Sequence, residues 1–127
     1  MNLQMRIGLA AQLGEYILSS SAEWQETKYK ASLTNPWFTP EFIDLAAGNI
    51  ANKFLDKQKL ESWASSYRIE TTNPKKIGIV MAGNIPLVGF HDFLSVFILG
   101  HNVSISSEWN SFKTLDYLIR TCKYVVV

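Results

Sequence analysis

The residues most able to do chemistry cluster where an apolar run meets a polar corner, Gly78-Ile79-Val80-Met81-Ala82-Gly83-Asn84-Ile85-Pro86-Leu87. Residues 77–81 read as a strand buried on both faces, as in a parallel sheet. Small residues end it, an amide follows, and Pro86 opens a helix. In an open α/β sheet such a corner lies at the carboxyl edge, where ligands bind. Ala82 and Gly83 let a ligand approach the backbone. The Asn84 amide can donate to an oxygen that becomes negative during a reaction. Its alternative is structural: Asn84 caps the following helix while Gly83 permits a turn. The pattern is neither GxGxxG nor a P-loop.

Other candidates are weaker. Cys122 sits in the last turn of an expected amphipathic helix with no nearby histidine or glycine-rich elbow, and reads as a structural thiol. His91 and Asp92 are helix neighbours that point apart and cannot pair directly. Both fall off the apolar stripe and read as solvated or capping. Trp37-Phe38, before Thr39-Pro40, reads as a hydrophobic staple rather than a ligand-facing pair. Lys57, Lys59, Lys75 and Lys76 read as solvated charges. One Cys and two His, His91 and His101, show no metal-ligand spacing.

These residues need elements to hold them. Met5, Leu9, Leu13, Tyr16 and Ile17 recur at helical spacing over residues 3–19, and residues 22–31 also read as helix. Asn35-Pro36 breaks the chain. Thr39-Pro40-Glu41 starts a helix whose stripe is Ile43, Ala46, Ala47, Ile50 and Phe54. Asp56 caps a short helix carrying Leu60, Trp63, Ala64 and Tyr67. After Asn73-Pro74 the order changes to strand, a helix from Pro86 ending at Gly100 with Phe90, Phe93, Leu94, Phe97 and Ile98 inward, and a strand at 103–105. A helix from Ser107-Glu108 follows, then a β-branched run at 124–127. A helical N-terminal layer (1–72) is therefore expected to cover a β-α-β-α-β parallel, Rossmann-like sheet (73–127), forming one domain.

A chain of 127 residues, 47% apolar and 18% charged, can bury a sizeable core. Twelve basic and eleven acidic residues, scattered along the chain, leave +1, which argues against nucleic acid as a partner. The N-terminus lacks the continuous apolar core of a signal peptide, and the run at 77–90 is too short and interrupted to span a membrane. A single cysteine suits a reducing compartment. The expectation is a cytoplasmic protein. The exposed apolar edge at Val125-Val126-Val127 and the many aromatics predict a homo-oligomer.

The stretch from Lys76 to Phe93, with Asn35-Pro36-Trp37-Phe38-Thr39-Pro40-Glu41 and the Trp63 helix upstream, resembles the fatty acyl-CoA reductases that supply aldehyde to bacterial luciferase. The resemblance spans residues 5–107. That family is similar to the aldehyde dehydrogenases, which share the strand, the Asn-x-Pro-Leu corner and a following Gly-x-x-Val strand. It implies NADPH-dependent reduction of a fatty acyl-CoA to an aldehyde through an acylated cysteine. It also implies that Asn84 is the oxyanion contact and that Val80, Met81, Ala82, Gly83 and Ser107 are cofactor-binding positions. Two features depart from the family. Ile105 runs directly into Ser106-Ser107, where the family places a ribose-holding lysine. The family's nucleophilic cysteine, glutamate base and glycine-rich turn would follow the last residue here, so the 127 residues alone are expected to be inactive. The rival reading is a non-catalytic ligand-binding or dimerisation module derived from the same fold.

Overall fold

Four helices of the N-terminal half each begin at a side chain that accepts a backbone N–H. In the computed structural model, which describes residues 1–69, 73–81 and 87–107, they are α1 (Leu3–Leu18), α2 (Ala22–Thr34), α3 (Pro40–Phe54) and α4 (Lys57–Ser65). Asn2 caps α1 by accepting from Met5 N at 2.9 Å, and Asp56 caps α4 by accepting from Lys59 N at 2.9 Å. Ser21 and Thr39 do the same for α2 and α3, each at 3.3 Å. Each such cap is worth about 1 kcal/mol. Pro40 sits in the first turn of α3, where its missing N–H leaves no bond unmade.

The face α1 buries differs from the expected one. Arg6, Ile7, Ala10, Gly14 and Ile17 are inward, whereas Met5 is exposed and Leu13 and Tyr16 flank the core. Small residues win this face because α3 and its C-cap lie close. A Cβ on Gly14 would stand 2.7 Å from Leu55 Cβ. Ile7, Ala10, Ile17 and Trp24 join Ala47, Ile50 and Leu60 in the main core, which continues through Ile79, Phe90, Phe93, Leu94 and Ile98. One core thus draws on both halves of the described chain.

A smaller cluster of Ala31, Phe38 and Ile43 realises the staple: Phe38 precedes the cap and meets the first turn of α3. Trp37 does not share it and is 79% exposed. The α4 stripe also stops short of expectation. Tyr67 lies beyond the helix end, exposed, with its ring edge against Trp63.

Strands β1 (Lys76–Met81) and β2 (Asn102–Ser107) are parallel and joined through α5 (Phe90–Ile98). The register runs from Lys76 opposite Asn102 to Met81 opposite Ser107. Helix α5 begins at Phe90 with Gly89 as N-cap, not at Pro86. It ends in a Schellman motif: Gly100 at φ 81° with Gly100 N donating to Phe97 O and His101 N to Val96 O. Ser107, expected to open a helix, instead ends β2. Helix α5 packs on both strands and α1 packs on α5, so the helical layer reaches the sheet largely through α5.

The described residues therefore form a mixed α/β arrangement with a small two-stranded parallel sheet. The further helix and strand expected after Ser107, together with Cys122 and the valine run, lie outside the described residues. Ile79 is buried, and Val103 and Ile105 pack on the same core. Val80 faces the other way and is 86% exposed. Among the described residues β1 is thus covered on one face, not on both as its apolar run implied.

Candidate functional site

The parallel register brings the carboxyl ends of β1 and β2 to one level, at Met81 and Ser107. The chain leaves β1 there and re-enters the described structure at Leu87. Of the positions singled out by sequence, Val80, Met81 and Ser107 occupy the last turns of this paired edge. Ala82, Gly83 and Asn84 lie outside the described residues.

The exit from the corner is unusual. Leu87 has φ 57°, in the left-handed region that a branched side chain avoids, and its carbonyl accepts from Phe90 N at 3.0 Å. Such conformations cost about 1 kcal/mol or more and concentrate at ligand clamps and switch regions. Half-buried Leu87 packs on the main core, which holds the turn in place. The α5 N-terminus follows, with Gly89 supplying no side-chain cap. The N-cap position of α5 belongs to Gly89. A helix start of this kind carries a partial positive charge, here at the carboxyl end of the sheet.

His101 stands at the opposite end. Its Nδ1 accepts from Lys75 N at 3.3 Å, beside the bond from Asn102 N to Lys75 O at 2.8 Å that starts the strand pairing. It anchors the sheet. Among the described residues no group of three or more His, Cys, Asp or Glu could hold a metal. No helix there is long and apolar enough to cross a membrane.

A second place was not legible in the sequence. The end of α3, α4 and α5 line a half-open cavity of about 300 Å³. Leu60 and Leu94 form its buried floor, with the Trp63 and Phe54 rings as walls. Lys53, Lys59 and His91 stand at the rim, and among the described residues no carboxylate lines it. The His91 ring meets the Phe54 ring edge-on, with centroids 5.3 Å apart. Lys59 Nζ donates to Asn52 O at 2.8 Å, closing the end of α3. Ser95 Oγ donates to His91 O at 2.9 Å. Sequence spacing assigned Lys59 and His91 to solvent because neither lies on an apolar stripe. Only the fold, which sets α4 and α5 on the same pocket, brings them to one lining.

No family model, curated protein or solved structure matches the chain.

Proposed function

We propose that these residues form part of the cofactor cleft of an acyl-CoA reductase–like oxidoreductase, which reduces a fatty acyl-CoA to an aldehyde with NADPH. The observation that carries this reading is the paired carboxyl edge at Met81 and Ser107, immediately before the Ala82–Pro86 corner. Ligands of open parallel sheets bind outside such an edge. The strained turn at Leu87 and the N-terminus of α5 beside it support it as features of a ligand-facing corner. The resemblance of residues 76–93 supplies the identity of the ligand. In this reading the backbone at Val80, Met81, Ala82 and Gly83 lies along the cofactor, with Ser107 across from it. The Asn84 amide donates to the thioester oxygen as it turns negative, a contact worth a few kcal/mol of barrier. The nicotinamide supplies the hydride, and the reaction needs a thiolate that takes up the acyl group.

The test is NADPH titration of the 127-residue protein followed by nicotinamide fluorescence. Saturable binding, weakened by Gly83→Val and insensitive to Cys122→Ala, is expected. Addition of long-chain acyl-CoA should leave the nicotinamide absorbance unchanged. Absence of saturable NADPH binding would overturn the cofactor reading in favour of a non-catalytic module. Acyl-CoA-dependent oxidation lost in Cys122→Ala would instead make Cys122 the nucleophile.

A further inference from the structure

Among the described residues no strand residue lines the cavity between α3, α4 and α5, and its lining specifies a ligand chemistry of its own. Its volume of about 300 Å³ lies at the lower bound of small-molecule sites, which combine an apolar body with a few placed polar groups. Here the body is Leu60, Leu94, Trp63 and Phe54, and every ionisable group on the lining is basic: Lys53, Lys59 and His91. Of the acids nearest Lys59 in sequence, Glu61 is not on the lining, and Asp56 is turned to the α4 N-terminus, where its Oδ1 accepts from Lys59 N. A cation would meet like charges at the rim, and a neutral apolar molecule would leave the lysines without a counter-charge. An anion with an apolar tail satisfies both parts at once.

We propose that this cavity is a binding site for an apolar monocarboxylate, with the tail on the Leu60, Leu94 and Trp63 surface and the carboxylate between Lys53 and Lys59. A cavity at this lower bound admits a tail of roughly eight to ten carbons, not a long-chain lipid. Lys59 reaches the rim already oriented by its bond to Asn52 O, so it loses less side-chain freedom on binding than a free lysine would. Lys53, in the last turn of α3, is exposed. The site does not depend on the oxidoreductase reading, and it is tested without any nucleotide.

The experiment is calorimetric titration of the whole chain with decanoate, decanol and decyltrimethylammonium, each below its micellar concentration. Decanoate should bind saturably with 1:1 stoichiometry, at least fivefold tighter than decanol, with no binding of the cationic amphiphile. The Lys53→Met/Lys59→Met double variant should bind decanoate about tenfold more weakly, which is 1.4 kcal/mol, and decanol unchanged. Lys57→Met, which removes a lysine that does not line the cavity, should leave both unchanged. Ser95→Phe should fill the cavity and abolish binding. If that variant fails to fold, nuclear Overhauser contacts from decanoate methylenes to Leu60 and Leu94 methyls in the unmodified protein decide the location. Equal binding of decanol and decanoate, indifference to the double lysine change, or absence of those contacts would each overturn the proposal.

Discussion

Arg6, near the start of α1, donates from Nε to the carbonyl oxygen of Ile98, in the last turn of α5, at 3.0 Å. The same guanidinium donates from Nη1 to Met1 O at 2.6 Å. Helix ends leave carbonyls without intrahelical partners and carry partial negative charge. A cation at the end of α5 answers both. Arg6 is only 3% exposed, and burial pulls its pKa below the usual arginine value. The planar fork can serve two acceptors in different directions, which an ammonium on a similar stem does less well. Helix α1 is thereby fastened to the helix that carries the strand crossover.

Replacing Arg6 should therefore loosen the first helix from the sheet. Arg6→Met is expected to cost about 2–3 kcal/mol, the range for losing a charged hydrogen bond and leaving a buried carbonyl unpaired. Arg6→Lys should recover less than half. Urea unfolding checks both, and a midpoint within error of the unmodified protein would show that the tie contributes little.

Two glycines of the helical layer should respond in opposite directions to alanine. At Gly14 a Cβ would stand 2.7 Å from Leu55 Cβ and 3.2 Å from Leu55 O, so α1 and the end of α3 must separate. Gly14→Ala is expected to destabilise by about 1–3 kcal/mol, as overpacking does. At Gly48, inside α3, no atom lies within 4 Å of an added Cβ. Gly48→Ala should stabilise by about 0.5–1 kcal/mol through helix propensity and reduced freedom of the unfolded chain. Thermal melts of the two variants should shift in opposite senses.

The contact between α2 and α3 separates packing from charge. Trp24 is almost fully buried, with its ring centroid 5.9 Å from that of Tyr16. Lys28 lies over the Trp24 ring and pairs with Asp44. The Asp44 side chain is 59% exposed, and pairs open to solvent contribute less than about 1 kcal/mol. Asp44→Asn should cost no more than that and lose its effect at high salt. Trp24→Ala should cost about 3–5 kcal/mol whatever the salt. Chemical denaturation at low and high ionic strength separates the two.

The local signals were the legible ones. Thr39-Pro40-Glu41 and Asp56 marked helix starts that hold, and Gly100 marked a helix end, because caps act within a few residues of sequence. The inward stripe of α5 was legible because its aromatic spacing admits one face. The α1 face was misjudged because bulk was weighed above fit: the close approach of Leu55 selects Gly14, and no periodicity carries that information. The start of α5 was misplaced because Pro86 suits the first turn of a helix but does not require one. The cavity was invisible for a related reason. Lys53, Phe54, Trp63 and His91 come together only through the crossing of helices distant in sequence.

Gly100 offers the sharpest test of how the crossover is built. The chain must end α5 and enter β2 within a few residues, because Ile98 is the last helical position and Asn102 the first of the strand. A residue at φ 81° reverses the chain in that space, and the bonds from Gly100 N and His101 N fasten it. For an L-residue with a Cβ the left-handed conformation costs about 1–2 kcal/mol. Gly100→Ala should destabilise the protein by that amount, and Gly100→Asn by less, since asparagine tolerates the region better. The effect should also be local. The next bonds in the chain are those of His101 and Asn102 with Lys75, so strain at Gly100 falls on the first rung of the sheet. Hydrogen exchange should then show faster exchange at the His101 and Asn102 amides in Gly100→Ala, with the α3 amides unchanged. Equal acceleration throughout would mean that the variant unfolds globally, and that the turn is not a separate determinant of the strand pairing.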